Sequence, residues 1–118
     1  MALHNELGQQ AEELAVNYLS ANGYEILHRN WKYAKLEIDI IAKKNELLRI
    51  IEVKALKSSK VNFPEQAVTK EKFKNLLKAA DEYLFQHQEF RHVQFEVLSI
   101  IIKSETEAEY FLIEDVFF

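Results

Sequence analysis
The chain has 118 residues, the size of one compact domain, and its 48% apolar and 29% charged residues exclude a disordered segment. It has no cysteine, which excludes a disulfide framework and any thiolate metal site. The net charge of −4 speaks against a uniformly phosphate-binding surface, but it is unevenly spread: residues 54–78 carry seven Lys against Glu65 and Glu71.

The opening MALHNELGQQ has no apolar h-region, and no apolar run approaches the length of a membrane span. A soluble, cytoplasmic protein with a single domain over residues 1–118 is therefore expected. Asn5 suits the N-cap of a first helix ending near Asn22-Gly23, with Leu7, Ala11, Leu14, Ala15, Tyr18 and Leu19 as its buried stripe. A strand follows over residues 24–33, then two strands around a tight turn at Asn45-Glu46. Pro64-Glu65 fits the first turn of a second helix running to about His87, with Val68, Phe73, Leu76, Leu77, Ala80, Tyr83 and Leu84 facing inward. Residues 93–103 are apolar on both faces, as in a central strand, and residues 110–117 form a last strand. The order α-β-β-β-α-β-β predicts an α+β domain, a mixed sheet flanked by helices.

The middle hairpin, LEIDIIAKKNELLRIIEVK over residues 36–54, places charges among apolar runs. Leu36, Ile38, Ile40 and Ala42 share one face of its first strand by alternation, and Ile51, Val53 and Ala55 share one face of the second. With Asn45-Glu46 as the turn, Asp39 faces Glu52 and Glu37 faces Lys54, all four on the other face. Opposed Cβ atoms lie about 4.5–5.5 Å apart. Two carboxylates at about 5 Å repel by roughly 3 kcal/mol at an effective dielectric near 20. One carboxyl staying protonated, a nearby cation such as Lys54, or a divalent metal relieves this. Magnesium suits two carboxylates and a backbone carbonyl; a surface salt-bridge cluster suits the same residues. Glu12 lies at the border of the first helical stripe, with Glu13 on the opposite side, and Gly8 one turn earlier leaves room for a neighbouring group. The lysine-rich segment reads either as a phosphate-facing surface or as a solvated helix face with a charged loop.

Asp39, followed after a turn by Glu52-Val53-Lys54, resembles the PD-(D/E)XK nuclease motif. More closely, the chain resembles the YraN family of bacterial proteins, through Gly8, Glu12-Glu13-Leu14-Ala15, Tyr18-Leu19, Gly23-Tyr24, Asn30-Trp31, Glu37-Ile38-Asp39-Ile40-Ile41-Ala42, Glu52-Val53-Lys54 and Pro64-Glu65. The resemblance implies a restriction-endonuclease-like fold similar to archaeal Holliday-junction resolvases, with DNA as partner, and it leaves both a monomer and a homodimer open. It implies that Asp39, Glu52 and the Val53 carbonyl hold Mg²⁺ or Mn²⁺. Lys54 would act on the attacking water, and Glu12 would complete the acidic cluster. Lys57, Lys60, Lys70 and Lys74 are the expected nucleic-acid contacts.

The chain departs from the family pattern in three places: Leu36 replaces a Gly, Ala55-Leu56 replaces Thr-Arg after the Lys, and Glu96 replaces an Asp. A nuclease acting on branched or structured DNA and a nucleic-acid-binding protein without turnover are both compatible with this set, and a protein-interaction domain with ordinary surface charges is a third reading. His4, His28, His87 and His92 have no ligand spacing. Trp31 and Tyr33 fit packing better than base stacking.

Overall fold
The computed structural model describes residues 2–57 and 70–114, with side chains for residues 8–56 and 70–114. Helix α1 spans Ala2–Ala21. It begins ahead of Asn5, which therefore lies inside it and does not cap it: Ala2 and Leu3 favour helix, and nothing there breaks one. Ala11, Ala15 and Leu19, four residues apart, are buried, and the two alanines let the helix approach the sheet closely. The helix ends where expected. Gly23 takes a left-handed φ of 89°, Tyr24 N–H donates to the Leu19 carbonyl at 3.0 Å, and Gly23 N–H to that of Ser20 at 3.3 Å. This crossed pair satisfies carbonyls that the last turn leaves open.

Strands β1 (Glu25–Tyr33), β2 (Leu36–Lys44) and β3 (Leu47–Lys57) precede helix α2 (Lys70–Gln86), which is followed by β4 (Val93–Ile102) and β5 (Ala108–Ile113). The five strands form one sheet in the order β1-β2-β3-β4-β5. All neighbours are antiparallel except β3 and β4, which are parallel and so require a crossover, in which α2 lies. The result is the expected α+β architecture, consistent with a restriction-endonuclease-like fold. The start of the second helix at Pro64-Glu65, its residue Val68 and the end of the last strand fall outside the described residues.

The sheet separates two cores. Ala15, Leu19, Tyr24, Ile40, Ile51 and Leu98 pack on the α1 side; Ile38, Ile41, Ile50, Phe73, Leu76 and Tyr83 pack on the α2 side. Burial on both faces accounts for the apolar residues on both faces of β4, among which Glu96 and Ser99 are also buried. One helix position departs from expectation: Leu77 is 40% exposed while Ala79 is buried. At 100° per residue, Phe73, Leu76, Ala79, Ala80 and Tyr83 centre the buried stripe so that Leu77 falls about a quarter-turn from its centre, beyond its edge.

A buried polar network ties the end of α1 to the sheet. Glu96, 1% exposed, accepts hydrogen bonds from the Tyr24 hydroxyl at 2.8 Å, Arg49 Nη1 at 2.6 Å and Gln94 Nε2 at 2.8 Å. Arg49 also reaches Glu114 at 3.2 Å. Burial and the Glu96 carboxylate raise the Tyr24 hydroxyl pKa, so it stays a donor. Among the described residues, no helix is long and apolar enough to cross a membrane.

Candidate functional site
The hairpin has the expected register. Asn45 and Glu46 take left-handed φ of 54° and 63°, a two-residue turn matching the strand twist, and pairing runs from Lys44↔Leu47 to Ile40↔Ile51. There the ladder ends, one residue short of Asp39 and Glu52. On the other side of β2, pairing runs through Arg29↔Ile40 and Trp31↔Ile38 and skips Asn30 and Asp39. Asp39 is thus released by both neighbouring strands.

The sides exchange at the same level. Ile40 and Ala42 pack in the α1-side core, but Leu36 and Ile38 pack on the α2 side, so they do not share one face as strict alternation predicts. Opposite, Asn30 has a left-handed φ of 52°, a conformation that Asn tolerates better than most residues. Asp39 Oδ2 accepts the Val53 N–H at 2.8 Å, a side chain taking the place of a missing ladder partner. The expected Glu37–Lys54 pair does not form a ladder pair. Glu37 lies opposite Lys32 in β1, with its carboxylate 3.8 Å from that ammonium.

Asp39 and Glu52 do come together. Their carboxyl groups are in hydrogen-bonding contact, and burial, then that contact and the Glu52 charge, push the Asp39 pKa up to about 8. The Val53 amide and Lys72 act against the rise without cancelling it. Two of the three routes open to the sequence meet here: the raised Asp39 pKa favours its protonated form, and a lysine ammonium stands beside Glu52. Lys72 Nζ lies 3.0 Å from Glu52 Oε1, whose side chain is 6% exposed. Lys54 stands beside Lys72; burial, then the Lys72 charge, lowers the Lys54 pKa.

Glu12 reaches the neighbourhood from α1. It shares with Asp39, Asn30 and Val53 the wall of an open cavity of about 360 Å³, to which Gly8 also contributes. Both its oxygens are engaged: Oε1 accepts Arg29 Nε at 2.8 Å and Oε2 accepts Asn30 Nδ2 at 2.7 Å. Glu13 is exposed on the far side of the helix from its buried stripe, as expected, yet Arg29 Nη2 still reaches it at 2.7 Å. Among the described residues, no group of three His, Cys, Asp or Glu is placed to hold a metal ion. The donors available to a cation are the two carboxyls and the Val53 backbone, an all-oxygen set suited to a hard ion that retains several waters.

A sequence model described as "Uncharacterised protein family UPF0102" matches residues 11–100, from the middle of α1 into β4. The chain belongs to UPF0102. This is the YraN family, as the sequence resemblance indicates. A UPF0102 protein of Chlorobium phaeobacteroides is 43% identical over 104 residues, covering 87% of this chain and 82% of its own. One from Flavobacterium psychrophilum is 38% identical, and one from Christiangramia forsetii 40%, each covering 100% of this chain and 98% of its own. Glu12, Asp39, Glu52, Lys54 and Lys72 all lie within the segment matched by UPF0102.

Of the other residues singled out in this UPF0102 chain, Lys70 and Lys74 are exposed on α2, while the Lys57 side chain and all of Lys60 fall outside the described residues. Trp31 packs edge-on against Tyr83 at 5.4 Å, as the packing reading expects. His28 and His87 flank the same Tyr83 ring, and His92 is exposed. Lys72 is the site residue that motif reasoning misses. The signal is present: Lys72 stands one turn before Leu76, near the centre of the buried stripe, where an apolar residue is the rule.

Proposed function
We propose that this protein is a magnesium- or manganese-dependent nuclease that hydrolyses phosphodiester bonds in branched or structured DNA. The observation that carries the reading is the contact between Asp39 and Glu52 beside Lys54, at the level where the β2–β3 ladder ends. A buried carboxyl pair that holds a proton near neutral pH has anionic capacity to spare for a cation. Asp39, Glu52 and the Val53 carbonyl are the groups that would hold one; the ion, when bound, supplies positive charge to the phosphoryl oxygens.

The chain's own groups do the rest. The Val53 amide fixes the Asp39 carboxylate through Oδ2 and sets its direction. Lys54, its proton loosened by burial and by Lys72, orients the attacking water and meets the negative charge that grows on the phosphate. Lys70 and Lys74, exposed on α2, offer point charges to the DNA backbone, and Lys57 and Lys60 extend the same basic segment. A cytoplasmic homodimer presenting two such sites belongs to the same reading.

A second reading, a nucleic-acid-binding protein that keeps the fold without turnover, is favoured by Ala55-Leu56 after Lys54, which provides neither hydroxyl nor guanidinium beside the site. The test is purified protein with Mg²⁺ or Mn²⁺ against linear, flapped and four-way-junction DNA. Cleavage that disappears in Glu52→Gln supports the nuclease. Binding without cleavage on every substrate supports the second reading.

A further inference from the structure
Lys72 comes from a different element than the rest of the charged cluster and contacts the most buried of its acids. We propose that Lys72 is a positioning residue that occupies the cation's place in the metal-free site, so that its ammonium must leave Glu52 before a divalent ion can bind. The inference rests on the metal-dependent reading above and adds a gate to it.

The geometry supports a placeholder over an incidental surface pair. Glu52 Oε1 is 3.0 Å from Lys72 Nζ, and the carboxylate has 6% of its side chain exposed, so water cannot replace that partner freely. The same ammonium also favours the charged form of Asp39, so it serves both acids, as a metal would. Its backbone is held in place. The next residue, Phe73, is buried and packs against Phe95 at 5.0 Å, which fixes the start of the Lys72 stem over the site. The Lys72 side chain is 39% exposed. It can therefore swing outward without any movement of the helix, and a lysine stem has the rotatable bonds to do so.

Two cations cannot share one carboxylate oxygen without repulsion, so metal and ammonium compete. Binding the ion then has a second effect. The released ammonium stays at the mouth of the site beside Lys54, where a phosphate can take it as its new partner. Metal would bind first and DNA second.

The test is calorimetric titration of Mg²⁺ and Mn²⁺ into the parent, Lys72→Met and Lys72→Arg, with melting temperatures in chelator and in saturating metal. Lys72→Met is expected to bind metal at least tenfold more tightly than the parent. It should melt lower than the parent in chelator and close that gap when metal is saturating. Lys72→Arg, which keeps the charge, should bind metal no more tightly than the parent. If Lys72→Met does not fold, Lys72→Gln carries the same comparison. Metal binding by the parent that is equal to or stronger than that of the neutral variants overturns the placeholder alone. Absence of metal binding in every protein overturns the metal-dependent reading, and the placeholder with it.

Discussion
The Asp39 carboxylate accepts the Val53 amide hydrogen at 2.8 Å, across the point where β2 and β3 stop pairing. That bond turns a break in the sheet into a fixed position for an acid. Removing the carboxylate therefore affects both strand geometry and charge, and the two can be separated by pH.

Asp39 has its pKa pushed up to about 8, well above the ordinary carboxyl range, so the folded state binds this proton more tightly than the unfolded chain does. Its contribution to stability is complete below about pH 4 and is lost progressively as pH rises to about 8, at no more than about 1.4 kcal/mol per pH unit. In chelator, the parent should lose melting temperature relative to Asp39→Asn between pH 5 and 8.5. Millimolar Mg²⁺ should restore the parent but not the variant. Parallel melting curves for the two proteins across that range would exclude the bound proton.

Lys54→Ala is expected to remove most cleavage, by about 10²–10⁴-fold if the ammonium both positions water and meets transition-state charge. Metal affinity should be retained or increase, because a neighbouring positive charge is gone. Single-turnover assays and calorimetry on the same preparation check the two together. Loss of metal binding would reassign Lys54 to holding the carboxylates.

The basic surface makes its own prediction. Lys70→Ala with Lys74→Ala should flatten the dependence of log affinity on log salt by roughly one to two units on duplex arms, about 0.9 for each phosphate that is no longer neutralised. Fluorescence anisotropy over a range of salt concentrations measures it. An unchanged slope would place these lysines on a surface that DNA does not touch.

Away from the site, Arg49 and Glu96 form a pair with side chains 7% and 0% exposed. Arg49→Met leaves Glu96 a buried carboxylate without its cation and should destabilise the protein by about 3–5 kcal/mol. Tyr24→Phe removes one donor to the same carboxylate and should cost about 1.5–3 kcal/mol. Chemical denaturation checks both, and the double variant should fall short of the sum because the two share Glu96.

The fold was legible where one physical rule acted alone. Asn22-Gly23 marked the end of α1, and Asn45-Glu46 fixed the hairpin register that brings Asp39 to Glu52. Legibility ended where tertiary context overrode a local period. Strict alternation carried Ile38 and Ile40 to one face, but the strand changes sides at Asp39, and no residue type announces such a change. Asn30, the left-handed residue opposite, is its nearest signal. Glu12 was placed correctly at the border of the helical stripe, whereas its engagement by Arg29 and Asn30 depends on two strand residues whose direction the helical wheel does not contain. Lys72 was hidden for a different reason: its contact with Glu52 exists only once α2 docks on the sheet, which the helical period of α2 does not contain.

The chain order of the charged residues also bears on how the domain assembles. Asp39 and Glu52 are joined by a short two-residue turn and meet as soon as the hairpin closes, whereas Lys72 arrives only when the crossover is complete and α2 docks. Early in folding, the two acids meet before the cation that later sits beside them. Closure of the β2–β3 hairpin is therefore opposed by charge, so its rate is expected to depend on pH in a way that closure of the β1–β2 hairpin does not.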